Sequence, residues 1–115
     1  MPLNALQTLE VIENLENFLL IHRPPEVLRN QVDVAYKIED QSIIIYEIRP
    51  YYDDPKRFIE SPIAKTTFVK SNAIWKIFWM RADLKWHLYK PRPTVKTISE
   101  FIDLVDKDAY GCFWG

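Results

Sequence analysis

At 115 residues, 48% apolar and 14% aromatic, the chain holds material for one domain with one hydrophobic core, and it is too apolar for a disordered segment. Its two glycines, Gly111 and Gly115, exclude a glycine-rich phosphate loop, and the single Cys112 excludes both an internal disulfide and the cysteine spacings of zinc sites. The net charge of −1 conceals an uneven distribution, because residues 64–96 carry eight basic residues against Asp83 alone, a local +7 that leaves −8 for the remainder.

Such asymmetry marks a surface for anions, or a basic strand block neutralised by acidic helices of the same chain; the second reading is the more economical. No apolar run approaches the ~20 residues of a membrane span. The acidic, amphipathic N-terminus lacks the basic and apolar regions of a signal peptide. A lone cysteine fits a reduced, cytoplasmic setting, with no membrane partner expected.

Residues 4–22 read as a helix. Leu6, Leu9, Ile12, Leu15, Phe18 and Leu19 recur at three- and four-residue steps as its apolar stripe, with Asn4 as N-cap and Gln7 three residues on. Glu10, Glu13 and Glu16 fall outside the stripe, and Pro24 and Pro25 end the helix. Alternation over residues 32–39 predicts a half-buried strand, and after a tight turn at Asp40 and Gln41 the apolar run 43–48 predicts a central one. Residues 50–62 read as an irregular loop with a helical turn over 55–60. Three more strands follow at residues 64–69, 75–80 and 85–89, with turns at Ser71–Asn72 and Ala82–Asp83, spacings that force antiparallel neighbours. Pro91 and Pro93 close the sheet. Thr97 and Glu100 open a second helix with its stripe on Ile98, Phe101, Ile102 and Val105, and Cys112, Phe113 and Trp114 fold back on the core. The fold class is therefore α+β: a single domain over 1–115, an antiparallel meander of about five strands flanked by an N-terminal and a C-terminal helix.

The run Ile63-Ala64-Lys65 through Val69-Lys70, Trp75, and the run from Trp79-Met80-Arg81 to Lys85-Trp86-His87 resemble a bacterial family catalogued as domain of unknown function 3024. The ending from Asp108-Ala109-Tyr110 to Phe113-Trp114-Gly115 is similar to that family's terminal pattern. The resemblance implies a bacterial one-domain protein; it implies no activity and transfers no catalytic residue.

Function enters through three constellations. Single-strand nucleic acid binders join a cationic groove to aromatic faces on which bases stack. Trp79, Trp86 and Tyr89 with Lys76, Arg81, Lys85, His87 and Lys90 offer that composition, although strand alternation makes the core the more economical place for the tryptophans. The binding residues expected on this reading are Lys76, Arg81, Lys85, His87 and Tyr89. The leading expectation is a non-enzymatic binding module for nucleic acid or another polyanion, without a cofactor or a metal. An alternative is a metal-dependent nuclease-like enzyme using Asp33 with the run Glu47-Ile48-Arg49, where arginine stands at the place of the usual lysine base. Register decides it. A two-residue turn sets Asp33 opposite Ile48, whereas a three-residue loop sets it opposite Glu47, and only the second lets the carboxylates share an ion. The simpler expectation is an internal ion pair between Glu47 and Arg49 or a helix. A further alternative is a small self-assembling protein that forms a homo-oligomer through a strand edge or its Trp surface. Asp103, Asp106 and Asp108 lack the glycine and terminal glutamate of a calcium loop and read as a solvated helix end in need of a cation. His22, at a helix end, and His87 show no nucleophile partner in the sequence.

Overall fold

The computed structural model describes residues 3–54 and 56–114. Asn4 opens the first helix, α1 (Ala5–His22), through a reciprocal cap: its side chain accepts from the Gln7 N–H at 2.8 Å, and the Gln7 side chain accepts from the Asn4 N–H at 3.1 Å. Two of the orphan donors of the first turn are thereby satisfied. The buried stripe consists of Val11, Leu15 and Phe18. Leu6 and Leu9, expected in that stripe, are 79% and 64% exposed, and Ile12 is exposed beside them. Three-residue steps slip back by about 60° each on a helix of 3.6 residues per turn. A line through Leu6, Leu9 and Ile12 therefore veers away from the face set by steps of four and three at residues 11, 15 and 18.

Six strands follow: β1 (Asp33–Glu39), β2 (Ser42–Pro50), β3 (Phe58–Val69), β4 (Ile74–Met80), β5 (Trp86–Leu88) and β6 (Thr94–Val95). They form one antiparallel sheet in the order β1-β2-β3-β4-β5, a meander, with β6 pairing β4 beside β5. The turn at Asp40–Gln41 has two residues, with Asp40 at φ 58°, a left-handed position that aspartate tolerates.

Strand β3 corrects the expected loop, because Phe58–Glu60 pair with Ile48–Pro50 as strand rather than forming a helical turn; Pro55 lies outside the described residues. Proline misleads here. Pro62 sits opposite Tyr46, where the register shifts by one residue at a bulge, and a bulge is where a strand accommodates a residue without an N–H. Strand β6 is not legible in the sequence, since two residues between Pro93 and the cap of the next helix carry no periodicity.

The second helix, α2 (Ile98–Lys107), starts at Thr97, whose hydroxyl accepts from the Glu100 N–H, and buries Ile98, Phe101 and Val105 as expected. Both helices lie on one side of the sheet. Their stripes join Val34, Ile43, Ile45, Ala64, Trp75 and Ile77 in one core. Phe113 closes this core against Tyr89, with ring centroids 4.9 Å apart, and Trp114 stacks on Phe18 at 6.4 Å. Among the described residues no helix is long and apolar enough to cross a membrane.

Candidate functional site on the open face of the sheet

Cross-strand pairing divides the sheet into two faces. On the helix side stand Tyr36, Ile45, Ala64, Trp79 and His87, one row across five strands. The other side carries four rows: Lys37-Ile44-Lys65-Phe78-Leu88; Ala35-Tyr46-Pro62, resumed by Met80-Trp86 across the bulge; Asp33-Ile48-Glu60; and the polar row Glu39-Ser42-Thr67-Lys76-Thr94. Ile44 is buried yet stands outside the core cluster, and Tyr46, Ile48, Phe78, Met80, Trp86 and Leu88 do not pack against that cluster. Neither helix covers this face.

Lysines sit among its rings. The Lys65 ammonium lies 5.7 Å from the Phe78 ring and 5.8 Å from the Trp86 ring, and Lys37 lies 5.2 Å from the Tyr46 ring. Lys37 also pairs with Glu60 at 3.4 Å, so this end of the face is neutralised, whereas the end with Lys65 and Lys76 is cationic. Burial, together with Glu60, pushes the Tyr46 phenol above its ordinary pKa, which keeps it neutral.

The basic block is largely not neutralised within the chain, contrary to the economical reading. Arg92 pairs with Glu100 of α2 at 2.6 Å, but Lys65, Lys76, Arg81, Lys85, Lys90 and Lys96 form no ion pair among the described residues. Helix carboxylates find other partners: Glu16 accepts from the Tyr36 hydroxyl at 3.2 Å, Asp106 meets His22, and Asp103 meets Lys107 at 2.9 Å. The acidic helix end thus finds its partners on α1 and on its own helix, where Lys107 is the cation, not on a strand. Asp108 binds the Phe113 and Trp114 N–H groups.

The expected binding residues separate. Lys76 reaches the open face, and Lys85 is exposed at the turn before β5. Arg81 and His87 meet on the opposite side, in a cleft of about 310 Å³ floored by Trp79, walled by Leu88 and Lys90, and closed by Cys112. Tyr89 is corrected: at 1% exposure it belongs to the core and cannot present a ring to a ligand. Burial also pushes its phenol pKa up. Alternation correctly set His87 and Tyr89 on one face, but that face is the covered one. Sequence reasoning missed Tyr46, Phe78 and Lys65. Their signal is the second parity of β4, where Phe78 and Met80 stand opposite Trp75, Ile77 and Trp79, combined with the register that aligns Lys65 with Phe78.

The shared-metal geometry is absent. Asp33 pairs with Ile48 and Val34 with Glu47, the register of the two-residue turn, so the two carboxylates point to opposite faces. Each has its own arginine. Arg23 donates twice to Asp33 at 2.8 Å, and Arg49 donates to Glu47 at 2.9 Å, the internal pair expected from the sequence. Among the described residues no three His, Cys, Asp or Glu side chains gather to hold a metal ion.

A second cleft, of about 350 Å³, lies between the helices against Asn14, Asn17, Phe18, His22 and Asp106; Asp106 meets His22 there, while its other acids, Glu100 and Asp103, pair with Arg92 and Lys107. No curated protein and no solved structure matches the chain. The family described as a domain of unknown function, DUF3024, matches residues 3–115, so the chain belongs to that family over essentially its whole length.

Proposed function

We propose that the protein is a non-enzymatic binding module that holds single-stranded nucleic acid on the open face of its sheet. One observation carries this reading: Tyr46, Phe78 and Trp86 share an uncovered face with Lys65 and Lys76, cations with no carboxylate partner among the described residues. Unstacked bases lie on such rings, each worth roughly 1–3 kcal/mol, while the ammonium groups neutralise phosphates. The Tyr46, Phe78 and Trp86 rings set among lysines favour a strand with exposed bases over a duplex, which presents only phosphate and groove edges. The setting in this reading is a bacterial cytoplasm, in keeping with the free thiol of Cys112. Fluorescence anisotropy with a short labelled single strand tests it. Binding at ~50 mM salt that weakens as salt rises is expected; no binding at that salt overturns it.

A second reading, self-assembly, draws on the outer face of α1, where exposed Leu6, Leu9 and Leu20 alternate with Glu10, Glu13 and Glu16. This apolar and acidic helix face complements a basic, aromatic sheet face of a second copy. Sedimentation across a concentration series separates the readings, since a strict monomer at high concentration removes the second.

A further inference from the structure

The cleft on the far side of β5 has a composition of its own. Its floor is the Trp79 indole, with the Arg81 guanidinium 5.5 Å from the ring centroid, and Lys90 and His87 stand at its rim. Arg81 and Lys90 form no salt bridge among the described residues, although the Asp83 carboxylate is near enough to Arg81 for their charges to interact. Asp83, the only acid of the basic block, is occupied: one oxygen accepts from the Lys85 N–H at 3.0 Å and the other meets the His87 ring at 2.8 Å. The Asp108 carboxylate accepts from two backbone N–H groups, which direct it toward the chain end. Burial pushes the Cys112 thiol up, so it stays protonated and adds no negative charge. Two cations, Arg81 and Lys90, thus line one cleft with the Trp79 ring, and the nearby Asp83 carboxylate is directed to His87 and the Lys85 N–H.

We propose that this cleft takes the terminal phosphate of a nucleic acid strand, a phosphomonoester seated between Arg81 and Lys90 with the terminal base against Trp79. The inference rests on the open-face reading, which supplies the path of the remaining strand. Charge selects the terminus. A phosphomonoester carries about −1.5 to −2 near neutral pH, whereas an internal phosphodiester carries a single charge, so two cations suit the end rather than the middle of a strand. Arginine adds a planar fork that matches phosphate oxygens in pairs. Position supports the same assignment, because Leu88 belongs both to the open-face row and to the cleft wall, so the two surfaces meet at the β5 edge. A strand lying over Phe78 and Trp86 reaches the cleft by turning around that edge.

The test compares an internally labelled oligothymidylate bearing a phosphate at one end or the other with the same strand bearing none. A terminal phosphate is expected to tighten binding about tenfold, the scale of one charge-assisted contact. Arg81→Ala and Lys90→Ala are each expected to erase the difference between phosphorylated and bare strands. Both residues are exposed, so neither variant threatens folding. Thymidine monophosphate should compete for the phosphate-dependent gain more strongly than inorganic phosphate does; equal competition overturns the role of Trp79. Equal affinity for phosphorylated and bare strands overturns the cleft assignment and leaves the open face standing. Failure of every strand to bind overturns the open-face reading and this inference with it.

Discussion

At the scale of single residues, the backbone at Asp108 turns left-handed, φ 41°, and its carboxylate then accepts from the Phe113 N–H at 3.0 Å and the Trp114 N–H at 2.9 Å. Those two bonds aim Phe113 at Tyr89 and let the Trp114 indole donate to the Val105 carbonyl. Asp108→Gly keeps the backbone conformation at no steric cost and removes both bonds, so urea unfolding should show a loss of about 1–3 kcal/mol. Leu84 presents the opposite case. It sits at φ 61° in the β4–β5 turn with its side chain 81% exposed, and gains nothing from packing. Leu84→Asn relieves the left-handed penalty, and stability should rise by up to about 1 kcal/mol in the same measurement. Asp33 sets a pH dependence. Its hydrogen bonds from Arg23, aided by the Val34 N–H, hold its pKa below the ordinary carboxylate value. A depressed folded-state pKa stabilises above the unfolded value of about 3.9, and that stability disappears as pH falls through the folded value. Asp33→Asn should therefore flatten the stability profile below about pH 4 relative to the parent, read from urea midpoints across that range.

Within single elements, pattern and packing part company where a segment is apolar on two sides. The capped helices were legible because Asn4 with Gln7 and Thr97 with Glu100 are local signals that tertiary contacts do not override. The register of β1 on β2 was legible to the extent that the turn length at Asp40–Gln41 was. The stripe of α1 was legible only in its C-terminal half, at Leu15, Phe18 and Leu19, because apolar side chains occupy both Val11-Leu15-Phe18 and Leu6-Leu9-Ile12, and only the position of the sheet selects between them. The open face was hidden for the same reason. Strands β2 and β4 are apolar on both parities, so alternation names two faces without saying which one the helices cover. Truncation distinguishes the two helix stripes: Leu15→Ala should cost about 2–5 kcal/mol as a core cavity, while Leu9→Ala should stay within about 0.5 kcal/mol. A large loss at Leu9 would mean that its exposed face is buried in an assembly.

Over the whole molecule, the α1 carboxylates and the open-face lysines stand on opposite sides of the sheet, and in the proposed binding mode that placement governs how a polyanion is received. Glu10, Glu13 and Glu16 lie on a helix above one side of the sheet, while Lys65 and Lys76 emerge on the other. In the proposed mode a strand approaches from the side away from α1, where the face's own carboxylates Asp33, Glu39 and Glu60 are paired with Arg23 and Lys37, so the net charge of −1 does not oppose it. Counterion release and ring stacking make separable demands on that face. Each phosphate neutralised on a single strand contributes a slope of about −0.7 in log K against log salt, so three to five contacts give roughly −2 to −4. Lys65→Ala should make that slope shallower by about 0.7 if its ammonium meets a phosphate. If Lys65 serves only to hold Phe78 and Trp86 in place, affinity falls and the slope stays. Trp86→Ala should do the reverse, lowering affinity about tenfold at every salt concentration with the slope unchanged, because stacking releases no ions. A salt titration of the parent and these two variants reads both terms at once. A Trp86→Ala variant that binds as tightly as the parent would remove the aromatic rows from the contact and leave only a cationic patch.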